Sequence, residues 1–244
     1  MLPTTSCCRA AEPVPPVSTS ALDWRGIRVV VFDVDGTLYD QGPLRRRMVT
    51  EILLYCLARP SRISLLRSIY EFRKSREQLA DEEAESISRA QFERPASRLG
   101  VSPAGVETVV EEWMFERPLR HLRACRYEGV AEVFSRLKET GRTVAAFSDY
   151  PAAKKLQALE LEADLVVTAM DPEVDRLKPH PAGLLRVMEL ARAEPTQVLL
   201  IGDRDERDGE CARRAGSPFL LKTAAATRDS RDFTDYRELL SSIP

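Results

Sequence analysis

The apolar run Ile27-Arg28-Val29-Val30-Val31-Phe32 has the length and β-branched content of a buried strand, and it stops at two acids, Asp33 and Asp35. Gly36 and Thr37 then turn the chain. The rhythm changes after this turn. From about Pro43 to Arg117 apolar residues recur at helical spacing: Ile52, Leu53, Tyr55 and Cys56, then Ile63, Leu66, Ile69 and Tyr70, then Val106, Val109, Val110, Trp113 and Met114. Pro60, Pro95, Pro103 and Pro118 punctuate this stretch, which predicts about four helices and no strand. From Glu128 strands and helices alternate. Helices are expected over Gly129–Thr140, Ala152–Leu161, Pro181–Ala193 and Glu206–Ala215, and strands over Thr143–Phe147, Leu165–Val167, Val198–Ile201 and Phe219–Leu221.

Such alternation predicts an α/β fold, a doubly wound parallel sheet with helices on both faces. The helical stretch interrupts it as an inserted unit. The expected organisation is a tail over 1–22, a core formed by 23–41 and 118–244, and a helical insert over 42–117. The tail carries Pro3, Pro13, Pro15 and Pro16 among Ser, Thr and Ala, which is a disordered composition.

With 244 residues the chain is long enough for one large α/β domain or for a core plus a smaller unit. Lys and Arg number 36 against 38 Asp and Glu, so no global charge bias points to nucleic acid or to a membrane surface. No apolar run reaches the length of a membrane span, and the first residues lack a secretory pattern. The five cysteines, Cys7, Cys8, Cys56, Cys125 and Cys211, form no CxxC pair. A reducing, cytoplasmic setting without structural disulfides is the expectation.

Three predicted strands end in polar residues that can share one crevice: Asp33 with Asp35, then Ser148 with Asp149, then Asp203. The carboxyl edge of an open α/β sheet is where ligands bind. Acids gathered there repel, and a cation or a shared proton compensates. Lys178 lies in the proline-stiffened loop Arg176-Leu177-Lys178-Pro179-His180-Pro181, and Asp208 opens a helix five positions after Asp203. Carboxylates, a hydroxyl, a lysine and backbone amides are an inventory for handling phosphate with a hard divalent ion, and Mg²⁺ suits oxygen ligands. Taken singly, each residue has an ordinary reading as a helix cap, a turn or a surface charge. His121 and His180 have no metal-like partner nearby in sequence and read as structural. No GxSxG, P-loop or GxGxxG occurs.

The four segments DVDGTL, FSDYP, RLKPHP and GDRDERD, in this order, resemble the four motifs of the haloacid dehalogenase superfamily, over about 25–38 and 127–221. The placement and helical character of the insert resemble the mobile cap of the phosphoglycolate phosphatase-like branch. The resemblance implies a Rossmann-like core and hydrolysis of a small phosphorylated metabolite. Asp33 would be the nucleophile and Asp35 the general acid and base. Ser148, the amide of Asp149 and Lys178 would hold phosphate. Mg²⁺ would bind the Asp33 carboxylate, the Asp35 carbonyl and Asp203, with Asp208 supporting the metal shell or Lys178. Dehalogenating members resemble this fold but lack the second acid, so Asp35 favours phosphoryl transfer. A phosphomutase or phosphotransferase of the same fold, and a silent phosphate-binding regulator, are the alternatives.

The chain departs from the pattern at Asp149, where the family often has Asn. A carboxylate beside phosphate must point away or be paired. Asp205, Glu206 and Arg207 are expected to be solvated loop charges. In the insert, nine basic residues (Arg45, Arg46, Arg47, Arg59, Arg62, Arg67, Arg73, Lys74 and Arg76) precede the acidic stretch Asp81-Glu82-Glu83-Ala84-Glu85. A solvated helical face is the expectation for them, with attraction of a polyanionic substrate or of anionic lipid as the alternatives.

Overall fold

A computed structural model describes residues 23–224 and 232–244, so the expected tail over 1–22, with Cys7 and Cys8, lies outside the described residues. Six strands, β1 (Val29–Phe32), β2 (Thr143–Ser148), β3 (Leu165–Thr168), β4 (Val198–Gly202), β5 (Phe219–Lys222) and β6 (Asp232–Phe233), form one sheet in the order β3-β2-β1-β4-β5-β6. Every pairing is parallel, which bears out the expected doubly wound sheet. The chain runs outward from β1 through β2 to β3, then returns to the other side of β1 with β4. The crevice at the carboxyl ends of β1 and β4 is therefore a topological switch point.

Helices cover both faces because β1 is apolar on both. Its side chains alternate. Val30 and Phe32 pack with residues of α6 (Val130–Glu139), α7 (Ala153–Leu159) and α10 (Tyr236–Ser242). Val29 and Val31 pack with residues of α8 (Ala182–Ala191) and α9 (Glu210–Ala215). All four β1 side chains are buried, each contributing about 1.5–3 kcal/mol of apolar transfer. The α8 contact is so close that a methyl group on Gly183 would lie 2.1 Å from the Phe147 ring.

The insert contains α1 (Gln41–Ala58), α2 (Ser64–Asp81), α3 (Ile87–Leu99) and α4 (Pro103–Val110), followed by a wide turn over Glu111–Glu116 and the short α5 (Leu119–Leu122). Local chemistry sets several ends. Asp40 caps α1 by accepting from the Gly42 amide at 2.7 Å, Ser102 caps α4, and Gly100 closes α3 at φ 66°. Phe72, Phe92, Ala96, Val106 and Val110 form a small core of the insert's own. Leu44, Met48, Leu65 and Trp113 pack instead with the main core.

The insert leaves and rejoins the sheet through paired chain segments. Tyr39 bridges Arg126, the Asp40 amide donates to the Cys125 carbonyl at 2.9 Å, and the Tyr127 amide donates to the Leu38 carbonyl at 3.2 Å. The acidic stretch that begins at the end of α2 docks on core arginines: Arg176 meets Glu85, Arg207 meets Asp81 at 2.5 Å, and Arg214 meets Glu83 at 2.7 Å. Arg207 is thus not a solvated loop charge, since its side chain is 11% exposed between Glu77 and Asp81. Arg76 also departs from the expected solvated face: it is buried, on the same stripe of α2 as Phe72 and Leu79. Beyond β5 the chain adds β6 and α10, which the apolar pattern did not predict. Tyr236 at the start of α10 donates to the Thr37 carbonyl at 2.7 Å, so this terminal segment buttresses the turn after Asp33.

Candidate active site

Asp33 follows β1 directly, and its amide donates to the Ile201 carbonyl of β4 at 2.8 Å. The turn after it is tight. Gly36 has φ 99°, and a methyl group there would lie 2.1 Å from an Asp203 carboxylate oxygen. This close approach lets the two acids converge. The Thr37 hydroxyl, fully buried, donates to Asp33 Oδ2 at 3.0 Å and fixes the carboxylate. Lys178 Nζ, also buried, donates to Asp33 Oδ1 at 2.7 Å and to Asp208 Oδ1 at 2.6 Å. The second Asp208 oxygen accepts from the Arg204 amide at 3.1 Å.

Asp33, Asp203 and Asp208 each place a carboxylate oxygen within 4.8 Å of the others. Burial pushes the Asp33 carboxyl up to about 6 against the pull of Lys178, and the charges of Asp208 and Asp35 add to the push. Burial, with the charges of Asp33 and Asp208, pushes Asp203 up to about 7. Burial disfavours the Lys178 charge, but Asp208, Asp33 and Asp149 outweigh it and hold the ammonium well above the ordinary lysine range. One lysine does not balance three carboxylates, so the cluster has the charge deficit and the hard oxygen donors that a small divalent cation requires.

Asp35 belongs to a second constellation beside the first. Lys155 Nζ lies 2.6 Å from both of its carboxylate oxygens, the Tyr39 hydroxyl donates to Oδ1, and the Ser148 hydroxyl lies 3.4 Å from Oδ2. Burial alone would raise its pKa. The charge and hydrogen bonds of Lys155, then Tyr39 and Lys178, outweigh burial and hold it below the ordinary carboxylate range. Lys155 is the residue that the motif reading missed. It sits on α7 between Ala152, Leu156 and Leu159, all buried, so it is a cation on an otherwise apolar face.

Ser148 ends β2, fully buried, and accepts from the Tyr150 amide at 3.1 Å. Asp149 is paired: its Oδ1 accepts from the Lys178 backbone amide at 3.0 Å, and its carbonyl accepts from Arg76 of the insert. The guanidinium of Arg76 also lies 4.2 Å from the centre of the Tyr150 ring and bonds Gln91. Asp149 therefore braces the Lys178 loop against the strand end, and burial raises its carboxyl pKa against the pull of Lys178 and Arg76. His121 pairs with Glu51, and His180 Nδ1 accepts from the Ala182 amide at the start of α8, so both histidines serve local structure.

All the expected site residues except the buried Ser148 line one cavity of about 810 Å³ between sheet edge and insert. The core supplies its charged end. The insert supplies mainly apolar side chains, with Arg45 and Arg73 among them. Among the described residues no helix is long and apolar enough to cross a membrane, and Cys56, Cys125 and Cys211 are free and buried.

The family model described as haloacid dehalogenase-like hydrolase matches residues 27–216. Phosphoglycolate phosphatase of Escherichia coli (strain K12) is 28% identical over 209 residues, covering 80% of this chain and 80% of its own. The same enzyme of Shigella sonnei (strain Ss046) is 29% identical over 209 residues with the same coverage. Among solved structures, 2-haloacid dehalogenase from Pseudomonas syringae pv. Tomato DC3000 superposes with a TM-score of 0.61 at 19% identity, over 88% of this chain and 97% of its own. A HAD phosphatase from Thermococcus onnurineus gives 0.54 at 18% identity, also over 88% and 97%. At these identities the structural likeness is one of fold.

Proposed function

The chain belongs to the haloacid dehalogenase-like hydrolase family, and from that premise we propose that it is one of the phosphoglycolate phosphatase-like members and hydrolyses phosphomonoesters through an aspartyl-phosphate on Asp33, with Mg²⁺ as its metal, in the cytoplasm. The observation that carries the phosphatase reading is Asp35 with its own cation, Lys155, 2.6 Å away. A halide leaves as a stable anion and needs no proton. An alkoxide leaving from phosphorus does, and a carboxyl group beside the nucleophile supplies one.

In this reading residues 42–117 cap a core of 23–41 and 118–244. Asp33, oriented by Thr37 and Lys178, attacks phosphorus while the Asp149 amide and Lys178 hold the phosphate oxygens, with Ser148 buried behind them against Asp35 and the Tyr150 amide. The bond from phosphorus to the ester oxygen breaks, and Asp35 protonates that oxygen. At rest Asp35 is a carboxylate. A phosphate dianion entering beside it raises its affinity for a proton, which loads the acid when substrate is present. Water then attacks the aspartyl-phosphate, Asp35 takes the water proton, and phosphate and free Asp33 result. Asp33, Asp203 and the Asp35 carbonyl would hold Mg²⁺, with Asp208 tying Lys178 in place; when bound, the ion neutralises phosphate charge.

The test is a direct competition of chemistries. Purified protein with Mg²⁺ is assayed for phosphate release from phosphorylated metabolites and for halide release from 2-chloropropionate. Phosphate release that Asp33→Asn abolishes is the expected result; halide release without phosphate release would overturn the proposal.

A further inference from the structure

The wall that the insert turns toward Asp33 and Lys178 is built for a greasy ligand. Ile52, Leu66, Ile69 and Trp113 line it, partly or fully buried. Val49, Leu53 and Tyr70 line it too, although they are 56%, 51% and 62% exposed. Nothing in the described chain covers these three, and they join the carboxylate site through one continuous cavity. Its volume of about 810 Å³ falls high in the range of about 300–1,000 Å³ that encloses drug-sized ligands, and far exceeds what a phosphorylated two-carbon acid fills.

The arginines on the wall are ion-paired or exposed, so none is a buried anion anchor like Lys178. Arg204 and Arg207 are occupied by Glu77 and Asp81, and Arg45 bonds Gln41. Arg73 stays exposed on a long side chain. A substrate with a second carboxylate or phosphate would meet a mainly apolar surface. A substrate with a hydrocarbon body would cover one.

We infer that the preferred substrates are phosphomonoesters with an extended apolar body, an alkyl, isoprenoid or aryl chain lying along α1, α2 and the Trp113 segment with its phosphate at Asp33. This rests on the phosphatase reading above and specifies its substrate class. Polar sugar phosphates and phosphoglycolate are then poor substrates.

The experiment uses n-alkyl phosphates from ethyl to decyl, below their micelle concentrations, with phosphoglycolate alongside. Turnover is measured with Mg²⁺, and binding is measured by calorimetry on Asp33→Asn, which needs no turnover. Burying one methylene stabilises a complex enough to give about a three- to four-fold gain, so kcat/KM and affinity rise by about that factor per carbon until the cavity is filled. In Leu53→Asn the decyl-to-ethyl ratio falls at least about ten-fold, while in Leu57→Asn, a residue 77% exposed and off the cavity wall, it holds. Flat or falling dependence on chain length, in turnover or in binding, overturns the inference while leaving the phosphatase reading intact. Chain-length-dependent binding without any phosphate release supports the cavity assignment and removes the phosphatase reading. An equal loss of ratio in Leu57→Asn, or an unchanged ratio in Leu53→Asn, overturns the inference.

Discussion

Replacing Lys155 with Met removes the cation from Asp35 and keeps the volume of the side chain. Nζ lies 2.6 Å from both carboxylate oxygens, with side-chain exposures of 9% and 19%. At a separation of about 3 Å and an effective dielectric constant of about 20, the attraction is about 5–6 kcal/mol. Asp35 is partly screened by water, so the measured range for a carboxylate beside one cation is the better guide, about 1–3 pK units. That corresponds to about 1.4–4 kcal/mol. Asp35 acts as the base in the second step and must be ionised there. The acidic limb of the kcat profile in Lys155→Met is therefore expected to move up by about 1–3 pH units relative to wild type. The stability change has a definite sign. A carboxyl whose folded pKa is depressed contributes stability that is present above its unfolded pKa and is lost as pH falls through its folded pKa. The variant's stability deficit of about 1.4–4 kcal/mol is thus present at pH 7 and closes only as pH falls through the lowered pKa of Asp35, below the ordinary carboxylate range. The assays are pH–rate profiles for both proteins, denaturant melts at pH 7 and below that pKa, and Lys155→Arg as the restoring control. An acidic limb that does not move, or a deficit equal at both pH values, would refute the assignment of Lys155 as the residue that holds Asp35.

Asp33→Asn should lower turnover by at least about a hundred-fold with little change in fold, read by phosphate release and circular dichroism. Asp33 and Asp203, raised to about 6 and about 7, bind protons more tightly folded than unfolded, so the metal-free protein loses stability as pH rises through that window. Mg²⁺ at about 100 times its Kd should raise Tm by about 5–10 °C at pH 7.5 and much less at pH 5, and an equal shift at both pH values would contradict the acidic cluster as its site. Gly183→Ala should cost about 1–3 kcal/mol, because the added methyl meets the Phe147 ring at 2.1 Å; a denaturant melt checks it. Arg76→Met should leave the fold intact and raise KM more than it lowers kcat, since it frees the Asp149 carbonyl from α2; equal loss in both would assign Arg76 to stability alone.

The sheet and the converging acids were legible because they obey backbone rules. An apolar run that ends in acids and Gly36 puts carboxylates at a strand end, and alternation with helices forces a parallel sheet. Lys155 and Arg76 were not legible as site residues because no motif spacing marks them. Both nevertheless carry a physical signal, a charge on an apolar stripe: Lys155 with Leu156 and Leu159, Arg76 with Phe72 and Leu79. A buried cation needs a partner, and in both cases the partner lies in the sheet-edge loops. β6 has two residues, too few for an alternation to register, and α10 lies beyond it. The ion pairs of Arg207 escaped the sequence because Glu77 and Asp81 are more than a hundred positions away.

The doorway of the insert has a consequence for how such a protein can change over generations. Chain leaves beside Tyr39 and returns beside Arg126, and these two residues pair with each other. The chain between them enters and leaves the core at one point, and none of it contributes a strand to the sheet. Lengthening, shortening or exchanging that stretch leaves every strand register untouched, as insertions at closely paired chain ends do. The chemistry at Asp33 and the choice of what reaches it can therefore drift on separate clocks. Two contacts are exceptions: Arg76 of α2 holds the Asp149 carbonyl, and the Tyr39 hydroxyl binds Asp35 while its backbone forms the doorway. An exchanged insert that splays the doorway would be felt at the acid at once, which makes that single tyrosine the toll point for inherited novelty.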